Sequence, residues 1–184
     1  MKLFLILILT LSAYLSSQDY LDYPHPYHST ETTKGMVVSQ NYLSSDIGAE
    51  ILSKGGNAVD AAIAVGFSLT ATLPRAGNIG GGGFMLVYDK KTESIISFDF
   101  RSMSPKLATP DVYKVNGVHQ YELSEEGYKA IAVPGTVAGL IEAHEMFGTM
   151  DLADLVNPTI ELLKEGVPVT DDLYWAINDT ESLK

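Results

Sequence analysis

The residue best placed to do chemistry in this 184-residue chain is Arg101. It follows Ser94-Ile95-Ile96-Ser97-Phe98-Asp99-Phe100, whose alternation reads as a strand with Ile96, Phe98 and Phe100 on one face. An arginine at the point where a strand leaves its sheet has a firmly held Cα and an emerging guanidinium. Its planar fork can grip a carboxylate through two parallel hydrogen bonds. On these residues alone, a salt bridge to Asp99, Asp111 or Glu93 is the plainer use of the same group, with Asp99 also able to brace the loop. Arg75 and Lys106 are the cations nearest in sequence, and both read more simply as a solvated face. His25 and His28 have no third ligand at a useful spacing. His144 lies on the apolar stripe of a helix, where a partly buried histidine bonded to backbone is expected. The chain has no cysteine and no GxSxG, HExxH or P-loop pattern, which removes the usual hydrolase, zinc and phosphate readings.

The elements that must position Arg101 precede it. Asn57 caps a helix, with Asp60 suited to its positive first turn. Val59, Ile63, Phe67 and Thr70 fall near one face, while Ala61, Ala62, Ala64 and Gly66 keep the rest thin enough for close packing; Pro74 closes the segment. Gly77-Asn78-Ile79-Gly80-Gly81-Gly82-Gly83 follows. Ordering four consecutive glycines costs much backbone entropy, so the run implies positive φ or contact between two backbones with no Cβ between them. As a phosphate loop it has the wrong order, because it leads from helix to strand. Phe84 to Tyr88 then reads as a strand, Asp89 to Glu93 as a turn, and Ser94 to Phe100 as the returning strand.

The remaining chain reads as one domain behind a leader. Lys2 and the uncharged apolar run from Leu3 onward, with no charge before Asp19, predict a secretory signal over residues 1–17, too short for a stable membrane span. Residues 18–33, with Pro24 and Pro26, predict an extended linker. Residues 34–184 form the domain. Strands around Val37, Phe84 to Tyr88, Ile95 to Phe100 and Ile131 are expected in one antiparallel sheet. Helices are expected from Ser44 or Ser45, Asn57 and Thr136, a short turn at Asp151, helix again over Thr159 to Lys164, and a last helix from Thr170. Asn116-Gly117 predicts a tight turn. Lys184 falls a few turns into that last helix and reads as a cut rather than a finish. A net charge of −11 argues against nucleic acid, and an anionic substrate must therefore be drawn by a local cation.

Three motifs, GGNAVDAAIAVGFSLTATLPRAGNIGGGGF, DFRSMSP and AVPGTVAGL, occur in this order over roughly Lys34 to Leu173. Together they resemble the large subunit of γ-glutamyltranspeptidases (glutathione hydrolases). The resemblance implies an α+β, N-terminal-nucleophile hydrolase fold of αββα type, incomplete here because the small subunit lies outside the chain. It implies hydrolysis or transfer of the γ-glutamyl group of glutathione and related γ-glutamyl compounds to water or an acceptor amino acid. The nucleophile implied is the threonine that autocatalytic cleavage exposes at the start of the small subunit, its own amine serving as base. No catalytic residue is then expected in this chain. Arg101 matches the arginine of the DFR motif that binds the substrate α-carboxylate, and no metal or organic cofactor is implied. Export implies a periplasmic or extracellular location. The alternatives are a truncated, inactive relative acting as a binding or vestigial protein, and a relative acting on other amides such as poly-γ-glutamate or β-lactam side chains. Asp99 to Arg101 favour a substrate with a free α-carboxylate.

Overall fold

The structure is a computed structural model, and it describes residues 31–179. The signal expected over residues 1–17 and the leader as far as residue 30 lie outside the described residues. The chain divides into two units, Met1–Lys34 and Gly35–Lys184. Of the first, residues 31–34 are described, where the Lys34 amide donates to the Thr32 hydroxyl at 3.3 Å.

The second unit is centred on helix α2 (Ala58–Thr72), which packs on α1 (Tyr42–Ser53), α3 (Thr136–Phe147) and α4 (Leu152–Glu165). Asn57 caps α2 by a reciprocal pair of bonds. Its side-chain oxygen accepts from the Val59 and Asp60 amides at 2.8 and 2.9 Å, and Asp60 Oδ2 accepts from the Asn57 amide at 2.9 Å. The expected thinness is used at Gly66, where a Cβ would stand 3.0 Å from Leu140 Cδ1 of α3. Ile63, Ala64, Ala143 and Leu155 from three different helices have no exposed surface.

Asn41 caps α1, accepting from the Leu43 amide at 2.9 Å, so neither Ser44 nor Ser45 starts that helix as expected. Ser44 is instead buried, and its hydroxyl meets that of Thr72 at 2.8 Å. The turn expected at Asp151 and the helix expected from Thr159 are one helix, α4, which continues through Pro158. A proline inside a helix removes one amide donor, and the buried flanking residues Leu155 and Thr159 hold the turns on either side in register. The last helix described, α5, spans Asp171–Asp179.

Strands β1 (Phe84–Asp89) and β2 (Ser94–Asp99) pair antiparallel, with Phe84 opposite Asp99 and Tyr88 opposite Ile95. Met85, Val87, Ile96 and Phe98 face the helices, Phe98 meeting Phe147 of α3 edge to face at 6.2 Å. The single sheet expected from sequence is not formed. Met36 to Ser39 has no regular secondary structure, and Ile131 lies two residues before Val133, which forms an isolated bridge with Met103. Asn116-Gly117 makes its turn, with φ of 51° and 79°, in a separate small hairpin of β3 (Lys114–Val115) and β4 (Val118–His119). Apolar runs at Val37 and Ile131 carry strand propensity, but strands are realised only where a partner edge supplies the hydrogen bonds. The other face of the β1–β2 hairpin is open: Phe84, Leu86, Tyr88 and Ile95 are each at least 62% exposed.

Candidate functional site

Arg101 is the second residue past the end of β2, and its backbone is gripped from two directions. On one side, Gly83 and Phe100 exchange both amide bonds, at 3.3 and 3.1 Å, which lengthens the β1–β2 ladder by one pair. A Cβ on Gly82 would stand 2.3 Å from the Ser102 nitrogen and 2.4 Å from the Phe100 carbonyl oxygen, inside any permitted contact. None of the glycines from Gly77 to Gly83 has positive φ. The run is therefore glycine because of backbone-to-backbone approach rather than turn geometry.

The other side is the start of α3. Met103 and Val133 exchange two bonds at 3.2 and 2.8 Å, and a Cβ on Gly135 would lie 2.1 Å from the Phe100 carbonyl oxygen. The Gly135 and Thr136 amides both donate to the Gly81 carbonyl, at 2.8 and 3.2 Å, and the Thr136 hydroxyl donates to the Asn78 carbonyl at 3.2 Å. The Phe100 ring lies where a side chain on Gly139 would be, 2.1 Å from the position of its Cβ. Two segments far apart in sequence, Gly82–Gly83 and Val133–Gly139, thus converge on Phe100 to Met103, and bare backbone at Gly82, Gly135 and Gly139 makes the approach possible.

Arg101 itself is exposed. Its amide donates to Asp99 Oδ1 at 3.0 Å, so Asp99 braces the loop, and its Nη1 donates to Ser102 Oγ at 2.9 Å. None of the salt bridges considered from sequence is formed: among the described residues Arg101 has no ion-pair partner, and Asp111 pairs instead with Lys114 at 2.6 Å. A cavity of about 710 Å³ lies beside it, bounded by Arg101 to Pro105, Leu107 to Pro110, Val112 and Tyr113, and Tyr128 to Ala132. Lys129 crosses this lobe to donate to the Val112 carbonyl at 2.9 Å. Ser102 is the residue that sequence reasoning missed; the only signal for it was a hydroxyl next to the arginine.

The remaining candidates are occupied elsewhere. Arg75 forms a forked pair with Asp172 of α5, its Nε donating to Oδ2 at 2.8 Å; this pairing holds the Asp172 carboxyl below its usual range. Lys106 is exposed and outside the cavity lining. His144 bonds through Nε2 to the Met150 carbonyl at 2.7 Å, the backbone-bonded state expected of it, while His25 and His28 lie outside the described residues. Among the described residues no group of His, Asp or Glu is arranged to hold a metal ion, and no helix is long and apolar enough to cross a membrane. A second groove, between α1 and α4, is lined by Asp46, Glu50, Asp154 and Glu161 and would repel an anion. The cationic cavity at Arg101 is the better site for a carboxylate-bearing ligand.

One buried carboxylate is structural. Asp60 has no exposed surface; beyond its bond from Asn57, it accepts from the Thr149 amide at 2.9 Å, the Thr149 hydroxyl and, weakly, the Met150 amide at 3.4 Å. Burial alone would raise its pKa, but the hydrogen bonds from Thr149, Asn57 and Met150 together hold it below the usual value. Asn57 Nδ2 donates to the Phe147 carbonyl at 2.6 Å, so one capping pair fastens the loop after α3 to the start of α2.

Residues 44–184 match the family described as gamma-glutamyltranspeptidase. The chain is 44% identical over 147 residues to the glutathione hydrolase proenzyme of Bacillus subtilis (strain 168), covering 79% of this chain and 25% of that protein. Its structure superimposes on the crystal structure of Helicobacter pylori gamma-glutamyltranspeptidase with a TM-score of 0.79 and 37% identity, covering 83% of this chain and 44% of the other. Cephalosporin acylase from Bacillus halodurans matches with a TM-score of 0.74 and 34% identity, over 88% of this chain and 30% of that one. These neighbours are N-terminal-nucleophile hydrolases, and they bear out the expected fold class for a mixed α and β chain that spans only part of the large subunit.

Proposed function

Because this chain belongs to the γ-glutamyltranspeptidase family, we propose that residues 34–184 form the front of the large subunit of an enzyme that cleaves the γ-glutamyl amide of glutathione, with Arg101 as clamp for the substrate α-carboxylate. The observation that carries this reading is the state of Arg101: a backbone locked between two converging segments, and an exposed guanidinium at a cavity with no carboxylate partner among the described residues. A cation held this firmly without a counter-ion is suited to an anionic ligand. Removing one partner of such a charge pair costs on the order of 2–5 kcal/mol when the site is partly desolvated.

In this reading the nucleophile is the N-terminal threonine of a small subunit released from the same precursor. Its hydroxyl attacks the γ-carbonyl, the amide nitrogen leaves with a proton, and water or an acceptor amino acid resolves the γ-glutamyl ester. The part played by this chain is orientation. A two-point grip on the α-carboxylate fixes where the γ-carbonyl, a set number of bonds away, meets the threonine. Residues 1–17 serve in the same proposal as an export signal and residues 18–33 as its leader; N-terminal sequencing of exported protein that began at Met1 would rule this out.

The test is a chimera in which residues 35–184 replace the matching quarter of the Bacillus subtilis glutathione hydrolase proenzyme. It should cleave itself and hydrolyse glutathione. Arg101→Lys keeps the charge but loses the fork, so KM for glutathione should rise about tenfold or more with processing intact. Unchanged KM, turnover and processing would remove Arg101 from the site. A second reading, an acylase for other amides, draws on the likeness to cephalosporin acylase. It would be preferred if the chimera accepted cephalosporin side-chain amides and not γ-glutamyl amides.

A further inference from the structure

Arg101 has five N–H donors, and how many face a ligand depends on what holds the guanidinium in place. The structure shows one protein acceptor for them among the described residues, the Ser102 hydroxyl, 2.9 Å from Nη1. That hydroxyl sits on an unusually well-fixed backbone. The Ser102 nitrogen is closely covered by Gly82, and the next residue, Met103, is bonded in both directions to Val133. Asp99 meanwhile binds the Arg101 amide and not its guanidinium. The long arginine side chain is therefore tied at both ends, its Cα by the glycine contacts and one corner of its head by Ser102.

We infer that Ser102 is a positioning residue for the clamp: by accepting from Nη1 it turns the Nε and Nη2 edge of Arg101 outward as the two-point carboxylate grip. An arginine free to sample its rotamers must lose that freedom when it binds, whereas one already tied has lost part of it in advance. Ser102 does not touch the substrate in this arrangement and takes no part in bond making, so its effect falls on binding. The inference rests on the reading of Arg101 as the α-carboxylate clamp, and the experiment separates the two.

In the chimera, Ser102→Ala should raise KM for glutathione about three- to tenfold, the factor that one side-chain hydrogen bond typically supplies, with kcat unchanged. Ser102→Thr retains the hydroxyl and should stay within about twofold of the parent. In an Arg101→Lys background Ser102→Ala should add nothing, since the bond it removes is already gone. If Arg101→Lys leaves KM unchanged, the clamp reading itself fails. If Arg101→Lys raises KM while Ser102→Ala does not, or if Ser102→Ala lowers kcat alone, or if Ser102→Thr is as weak as Ser102→Ala, the positioning role is overturned and the clamp stands. NMR relaxation of the Arg101 Nε–H, measured in the chimera, provides a readout independent of catalysis. It should report a rigid side chain that becomes mobile in Ser102→Ala, and equal mobility in both would also overturn the proposal.

Discussion

Gly82→Ala and Gly81→Ala are the same chemical change at adjacent positions of one glycine run, and the structure predicts opposite results. A Cβ at Gly82 would meet the Ser102 nitrogen at 2.3 Å, the Phe100 carbonyl oxygen at 2.4 Å and the Arg101 carbonyl carbon at 2.9 Å. All three are backbone atoms of the segment that carries the guanidinium, and no side chain can rotate out of the way. Restoring ordinary contact requires the two backbones to part by roughly 1 Å, and overpacking of this kind costs about 1–3 kcal/mol. A Cβ at Gly81 would find its nearest neighbour, the Asn78 carbonyl oxygen, at 3.5 Å, an ordinary contact, and Gly81 has no positive φ. Gly81→Ala should therefore be neutral or gain about 0.4–1 kcal/mol through a less flexible unfolded chain. The assay is thermal unfolding of the chimera together with KM for glutathione. Gly82→Ala should lower the Tm of the chimera, by less per kcal/mol than the roughly 2–4 °C of a 150–250-residue domain because the chimera is larger. Displacing a gripping group by about 1 Å should also cut kcat/KM by up to about 100-fold. Equal behaviour of the two variants would refute the claim that contact, rather than general flexibility, explains the run.

Asp60→Asn keeps the size of a fully buried side chain but turns one of its two accepting oxygens into a donor facing other donors, so it should cost about 2–3 kcal/mol in an unfolding titration at neutral pH. Because the hydrogen bonds hold the folded Asp60 carboxyl below the ordinary aspartate range, its contribution is present above that range and is lost as pH falls through the lower folded value. Stability of the parent should fall in that acid window, while Asp60→Asn should show a shallower fall there. The open face of the β1–β2 hairpin predicts that the 184-residue chain alone is aggregation-prone, and that Leu86→Lys with Tyr88→Lys improves its solubility in light scattering. A soluble parent monomer with a cooperative thermal transition would contradict this.

Local residue chemistry was enough to read α2, the β1–β2 hairpin, α3 and the turn at Asn116-Gly117 in sequence. Each carries its own signal: the Asn57 and Asp60 cap, alternation in the two strands, the apolar stripe that includes His144, and Gly at the positive-φ position. Such signals act over a few residues, where propensity and capping dominate. The glycine run also announced that two backbones meet, but not which two. Only the tertiary structure decided that the partner is Phe100 to Ser102, that Gly135 closes the other side, and that among the described residues Arg101 is left without a carboxylate while Arg75 has one. It also decided that Val37 and Ile131 do not join the sheet, that Asn41 displaces the two serines as cap, and that α4 runs through Pro158. These outcomes depend on contacts between segments tens of residues apart. Distance and the supply of hydrogen-bond partners settle them, and neither is a property of any short stretch of chain.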